Sequence, residues 1–165
     1  DREIHSAYIN YTKEINEIAF QAGVRFEDFS VEGLFSNTEQ PSIERYSDDI
    51  FSIYPSAFLT YYLSETDQVQ FGYSKRVDRP TVDRVTPIQE WTSPLTISVG
   101  NRTLEPQFTN SLEVNYTKTL KKGNITFGAF YRSTSDQIGQ IINKDSINPD
   151  RQLISYANYD TAKSY

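Results

Sequence analysis

The chain has one histidine, His5, and no cysteine. A serine–histidine–acid triad could use no other base, and no serine sits in a Gly-x-Ser-x-Gly elbow. Without cysteine there is no thiolate nucleophile, thiolate metal site or disulfide framework. His5 reads as a solvated strand residue, and the chain is expected not to be an enzyme. Asp145, Asn148 and Asp150 offer oxygen donors that could hold Ca²⁺, but their spacing is not that of an EF-hand loop. A turn built on Asn148-Pro149-Asp150 is the preferred reading, and neither a metal nor a cofactor is expected. The side chains best suited to binding are cationic. Lys75, Arg76, Arg79 and Arg84 fall close together, and Arg presents a fork of donors to an anionic ligand. The competing reading is ion pairing with Asp78, Glu90 or Glu105, the commoner fate of such groups. Trp91, the sole tryptophan, could stack on a sugar, anchor at a membrane surface or pin its own loop; the sequence does not choose.

These residues sit among strands. From Val99 to Thr134 the chain alternates two residue sets, the pattern of a β-strand with unlike faces. Gln107, Thr109, Ser111, Glu113, Asn115 and Thr117 form the polar set. Phe108, Leu112, Val114 and Tyr116 form the apolar one, broken by Asn110. Lys121-Lys122-Gly123 supplies a tight turn, and Ile125, Phe127, Ala129 and Tyr131 resume the apolar parity, with Phe130 the exception. This is a long β-hairpin. Earlier segments read the same way: Glu3–Lys13, Ile18–Phe35, Ile50–Leu63 and Gln68–Val77. In the second, the apolar parity switches near Glu27-Asp28, where Phe29, Val31 and Gly33 take over. A register slip flips every side chain, so a β-bulge is expected there. In the third, Pro55 has no N–H to donate, so regular pairing is expected only after it. Ile138, Ile141 and Ile142 prolong the sixth strand, and Gln152–Tyr165 forms a seventh. Of four Asn-x-Thr triplets, at Asn10, Asn101, Asn115 and Asn124, three fall inside strands, where alternation generates them without any glycan.

The chain has 165 residues, a net charge of −6, 37% hydrophobic residues and 14% aromatics, with a mean hydropathy of −0.59. The length suits one domain. The charge argues against a nucleic-acid binder, which needs a basic stripe. No apolar run is long enough for a transmembrane helix, but barrel strands hide their hydrophobicity by alternation. Asp1 is not an initiator methionine and no signal peptide opens the chain, so a piece of a longer protein is expected.

The connections alternate in length. Glu14–Glu17, Ser64–Asp67 and Thr119–Gly123 are short. The loops around Pro41, around Trp91 (Arg79 to Pro106, with four of the seven prolines) and around Asn148 are long. An up-and-down membrane barrel sorts its loops this way, with short periplasmic turns and long external loops. The expected fold is therefore all-β: antiparallel up-and-down strands, about seven of them, forming part of a large transmembrane β-barrel. The polar parity (Gln70, Ser74, Thr109, Glu113, Asn115, Arg132) then faces the lumen and the apolar parity faces lipid. Tyr11, Phe20, Tyr61, Tyr116 and Phe127 lie where an aromatic girdle belongs. The rival architecture is a β-sandwich binding module, in which the same rings make a core between two sheets.

Several motifs carry a resemblance. Gly100-Asn101, Leu104, Pro106, Thr109, Glu113 and Tyr116 are similar to the GN..L.P..(S/T)...E..Y signature in the barrels of TonB-dependent outer-membrane receptors. Tyr54-Pro55-Ser56 and Tyr73-Ser74-Lys75-Arg76-Val77-Asp78-Arg79-Pro80 resemble the FPS and YSRRxxRP elements of a Bacteroidetes branch of these proteins. The resemblance covers most of the chain. It implies a barrel of 22 strands in the bacterial outer membrane with a plug domain inside, and places residues 1–165 within the barrel domain, the plug and signal peptide lying outside this sequence. It implies a receptor or transporter for a nutrient. The implied partners are outer-membrane lipid and lipopolysaccharide, the plug, TonB and a surface lipoprotein, with no nucleic acid. Arg76, Arg79, Arg84 and Trp91 are the candidate ligand contacts, with lipopolysaccharide phosphate a further target for the arginines. The alternative within this architecture is a structural or assembly role. The long signature itself reads as architecture. Gly100 supplies a positive φ, Pro106 fixes the approach to the strand, and Glu113 needs a partner such as Arg132.

Overall fold

The computed structural model describes residues 2–36, 43–146 and 148–165. Its strands are β1 (Arg2–Ile15), β2 (Ile18–Ser36), β3 (Ile43–Tyr62), β4 (Asp67–Asp78), β5 (Glu90–Ser93), β6 (Thr96–Ser98), β7 (Gln107–Leu120), β8 (Gly123–Lys144) and β9 (Gln152–Ser164), with one short helix, α1 (Val82–Val85). They form a single sheet in the order β1-β2-β3-β4-β7-β8-β9-β6-β5. Seven long strands run up and down as the alternation predicts. The two additional short strands lie within the long connection before Pro106. All pairings are antiparallel except β6 on β9.

Side chains directly opposite one another share a face, so the registers assign every residue. Phe20 faces Leu59, Leu59 faces Phe71, Phe71 faces Val114 and Val114 faces Ala129. This outer face carries exposed apolar side chains from strand to strand. Leu59 is 40% exposed, Val114 41% and Phe127 69%. No second sheet covers them among the described residues, which removes the sandwich. Tyr11, Phe20, Tyr61 and Phe127 stand exposed on this face beside the short turns, the level of an interfacial girdle.

The expected bulge at Glu27-Asp28 is absent. The ladders of β2 to β1 and to β3 run through it without a shift. What changes is the surroundings. From Ile18 to Phe26 the outer face is apolar, close to the roughly 9–11 residues a tilted strand needs to cross the hydrocarbon. Beyond it Asp28 faces outward, while Phe29 turns inward and is buried. The strand continues above the membrane with its faces unchanged and its environment exchanged. The same extension absorbs most of the segment expected as a loop from Ser36 to Asp49, since β3 already starts at Ile43. The loop around Pro41 lies outside the described residues. The polar stretch after Ser135 is likewise strand, to Lys144. The ladder is interrupted instead at Asp136, whose φ of 54° breaks the pairing with β9 for one residue. Aspartate tolerates that region better than most residues. At Pro55 the ladder to β4 stops at Ser56, as a residue without an N–H requires, while the ladder to β2 continues past it.

The first two short turns are each locked to the next long strand. Tyr62 N donates to Glu17 O at 2.8 Å, and Thr119 N to Thr66 O at 2.7 Å. In the second turn Asp67 gathers four donors. Tyr116 Oη and Lys118 Nζ (3.0 Å) reach Oδ1, and Ser64 Oγ and Thr66 Oγ1 (2.8 Å each) reach Oδ2. The Tyr116 hydroxyl, then those of Thr66 and Ser64 and the Lys118 ammonium, hold the Asp67 carboxyl well below the usual carboxylate range.

Two outcomes follow for the intact protein. Val114→Arg, an outer-face change near mid-depth, lowers unfolding free energy by about 2–4 kcal/mol, whereas Gln70→Arg on the opposite face leaves the urea midpoint nearly unchanged; equal losses would show that the faces are misassigned. Because folding lowers its pKa, Asp67 contributes stability that is complete above the unfolded carboxylate value near 4 and fades only as pH falls further. The midpoint difference between wild type and Asp67→Asn therefore stays constant from pH 7 to about 4.5 and shrinks below; a difference already lost at pH 5.5 contradicts it.

Candidate functional site

Two parts of the inner face could meet a ligand: a polar patch halfway along the wall and the connection that folds over its upper end. The patch arises from the polar parity of β4, β7 and β8. Arg76 lies opposite Thr109, Ser111 opposite Arg132, and Thr109 opposite Thr134. The Thr109 and Thr134 hydroxyls share a hydrogen bond of 2.9 Å. Glu113 and Arg132 pair at 3.5 Å, and Ser111 Oγ donates to the same carboxylate at 3.1 Å. The Arg132 guanidinium also lies 4.7 Å from the centre of the Phe130 ring, so the aromatic that breaks the alternation has a cation over it. The residues of this patch other than Phe130, with Asp78 and Ser164, line a hollow of about 330 Å³. Arg76 is exposed there and makes no hydrogen bond or ion pair with any described residue.

The upper part is a strap from Arg79 to Pro106. It leaves β4, makes α1, crosses to the far side of the sheet as the β5–β6 hairpin, and returns to β7. Val85, Ile97, Leu104 and Pro106 are buried beneath it, with Phe29 and Tyr54 of the wall. Its origin is clamped by charge. The Arg79 guanidinium donates to a Glu27 carboxylate oxygen and, at 3.2 Å, to Tyr54 Oη, and lies 4.5 Å from the Phe29 ring centre. Arg25 reaches the other Glu27 oxygen at 3.3 Å. The Glu27 and Arg79 side chains are 5% and 10% exposed. Losing Arg79 would leave this buried carboxylate with only the half-exposed Arg25 as counter-charge.

The Gly100 motif closes the strap. Gly100 N donates to Thr86 O at 2.9 Å and Asn101 N to Arg84 O at 2.7 Å. Among the described residues no glycine has positive φ, so Gly100 is needed for close approach and not for the left-handed conformation. A Cβ there would lie 2.5 Å from Thr86 O. The Asn101 amide donates to Tyr156 O at 3.0 Å and accepts from Thr103 N and Thr103 Oγ1. Asn158 exchanges hydrogen bonds of 2.9 Å with the backbone of Glu105. The motif's side chains thus fasten the connection to β9 and seat Leu104 and Pro106.

The cations grouped in sequence are not brought together. Lys75 lies on the outer face over the Phe108 ring at 5.0 Å, Arg79 is locked to Glu27, and Arg84 lies 5.4 Å from the Tyr156 ring centre. Alternation explains the split of Lys75 from Arg76, and none of Asp78, Glu90 or Glu105 takes the expected pairing role. Trp91 is 62% exposed on β5, with the Arg151 guanidinium 5.1 Å from its ring. Asp145, Asn148 and Asp150 form a turn in which Asp150 N donates to Asn148 Oδ1 at 3.2 Å and Asp145 pairs with Arg151 at 3.5 Å. His5 is exposed beside Glu3. Sequence reasoning missed Glu27 and Tyr54 as partners of Arg79; the one signal was an acidic residue at inward parity in a strand whose outer face had just turned polar.

Comparisons agree with this geometry. No curated protein sequence matches the chain. Among solved structures, the Serratia marcescens hemophore receptor HasR, in complex with its hemophore HasA and heme, matches with a TM-score of 0.80 and 14% identity over 98% of this chain and 30% of its own. The siderophore receptor PirA from Pseudomonas aeruginosa gives 0.64 and 14%, over 98% of this chain and 37% of its own. The ferric-catecholate import receptor Fiu from E. coli K12 gives 0.61 and 16%, over 98% and 24%. The chain thus spans about a third of the length of these receptors, and the shared fold is a section of their barrel wall. The model of the outer membrane protein beta-barrel family matches residues 1–165; the chain belongs to that family, and its place is the bacterial outer membrane.

Proposed function

We propose that this section forms wall, external connections and lumen lining of a TonB-dependent receptor that takes up a nutrient. The observation that carries the reading is the match of 98% of the chain to the barrel of a hemophore receptor at a TM-score of 0.80. Residues 1–165 are then one part of a barrel domain, with a plug domain in the lumen, TonB below and a surface lipoprotein as a candidate partner above. No residue of the section performs chemistry; its role is to shape a passage. Within that passage Arg76 is the arginine placed to touch an anionic cargo, because Arg79 and Arg84 are engaged in holding the strap. Trp91 and Arg151 stand at the upper rim, where a ligand is first met.

Uptake distinguishes this reading from a purely structural or assembly role. Cells carrying the intact protein accumulate labelled heme or ferric siderophore in a manner abolished by dissipating the proton motive force; accumulation that persists without it, or none for any iron complex, counts against the proposal. Arg76→Gln weakens cargo binding several-fold with the unfolding midpoint unchanged. Arg79→Gln shows the reverse, a stability loss of about 1–3 kcal/mol, because the buried Glu27 keeps only the half-exposed Arg25 as counter-charge. If both variants bind and unfold as wild type does, the division of roles is wrong.

A further inference from the structure

Strap and wall leave a gap where the inner face rises above the membrane. Val31 stands about 13 residues above the first turn. At a rise of about 3.4 Å and a strand tilt of roughly 40°, that is about 34 Å, past the roughly 25 Å of a barrel's apolar band. At this level a hollow of about 40 Å³ remains. Phe29 and Val31 form its wall side, and Val82, Val85 and Leu104 its strap side. Two ionic side chains of the wall, Arg2 and Asp48, line the same hollow.

These two charges do not satisfy each other. Arg2 opposes Val31 and Val31 opposes Asp48, so the three share one inward row with the valine in the middle. Strand spacings of about 4.8 Å put the Arg2 and Asp48 backbones roughly 10 Å apart. Arg2 lies 5.2 Å from the centre of the Phe29 ring and makes no hydrogen bond or ion pair with any described residue. Asp48 is half-buried and likewise has no hydrogen-bond or ionic partner among the described residues. Arg79, the other cation at this hollow, is committed to Glu27. Other inward carboxylates are provided for: Glu27 has Arg25 and Arg79, Glu113 has Arg132, and Asp78 accepts from the Gln107 amide at 3.0 Å. A carboxylate held partly out of water without a counter-charge is costly, and an ammonium group brought by a ligand relieves that cost.

We propose that this hollow is a binding site for a free α-amino acid with a small branched apolar side chain, of the valine type. Asp48 accepts hydrogen bonds from the α-ammonium, the Arg2 fork donates to the α-carboxylate, and the side chain enters the apolar hollow. The size is selective. A water needs about 10–15 Å³ of such space, so the hollow holds roughly three waters or one isopropyl group, and no indole. The charge is selective as well. One free group of each sign suits a zwitterion, whereas an ion of single sign leaves one of the two unpaired. The charged end of the ligand meets the wall and its side chain meets the strap. A bound amino acid therefore ties the two together above the Glu27–Arg79 clamp. The site is separate from the hollow at Arg76 and does not depend on what passes through the lumen.

The test uses the full-length protein in mild detergent and calorimetric titration with L-valine, L-valinamide, N-acetyl-L-valine, glycine and L-tryptophan. One valine binds per protein. Valinamide lacks the carboxylate and N-acetylvaline the ammonium, and each binds at least tenfold more weakly, as do glycine and tryptophan. Asp48→Asn and Arg2→Gln each weaken valine binding at least tenfold, and Asp28→Asn on the outer face leaves it unchanged. Valine slows amide hydrogen exchange between Val82 and Leu104 in wild type and not in Asp48→Asn. A heat-modifiable shift in SDS verifies that each variant is folded. No binding of valine up to about 1 mM, binding of valinamide or N-acetylvaline equal to that of valine, full binding by both variants, or binding that leaves strap exchange unaltered overturns the proposal.

Discussion

Hydrocarbon offers no partner to a backbone amide or carbonyl, and that single constraint organises this chain. Each unpaired group at bilayer depth costs several kcal/mol, so the strands must satisfy one another completely. The ladders of β1 to β2 and of β2 to β3 run unbroken from the short turns to the ends of the described strands. Where the pairing falters, at Pro55 and Asp136, the rest of the sheet compensates: Pro55 keeps its register with β2, and Asp136 O accepts from the Asn158 amide at 2.7 Å. With the backbone fixed in this way, side-chain parity is the remaining freedom. It is used to separate an apolar wall from a polar lining.

Above the membrane the same strands obey a different rule. Water can satisfy the outer face there, so Asp28 and Glu32 are allowed on it, and the inner face gathers apolar groups instead. Phe29 and Tyr54 form one side of a small core whose other side is the strap, through Val85, Leu104 and Pro106. Among the described residues the apolar groups on the inner side thus gather into a local core at the rim. The buried Glu27 between Arg25 and Arg79 lies at this boundary and fixes where the strap departs. A hydrophobic pair could hold the strap as firmly, but the Arg79 fork also orients it by reaching Tyr54 Oη.

Much of this was legible beforehand because alternation is a strong signal when the two faces meet different solvents. The seven long strands, the short turns and the outward set around Val114 and Phe127 could all be read from period two. Two departures share one cause: a switch in polarity along a strand marks a change in medium, not a change in register or the end of the strand. It underlies the expected bulge at Glu27-Asp28 and the expected late start of β3, after its polar beginning, Ile43 to Asp49. β5 and β6 were invisible because three or four residues cannot display a period, and because the pairing of β6 with β9 joins segments far apart in the chain. The cation cluster failed for a simpler reason. Neighbours in a strand point apart, so Lys75 and Arg76 could never share a ligand.

The parallel docking of β6 on β9 has an effect on the outline of the wall. Thr96–Ser98 already occupy the edge of β9 at Gln152–Ile154, and Val99 N adds a bond of 2.9 Å to Ile154 O. Any neighbouring strand that continues the sheet past β9 can therefore hydrogen-bond to it only from Ser155 downward. Along that edge the hairpin bearing Trp91 holds the place that a strand of the wall would otherwise take.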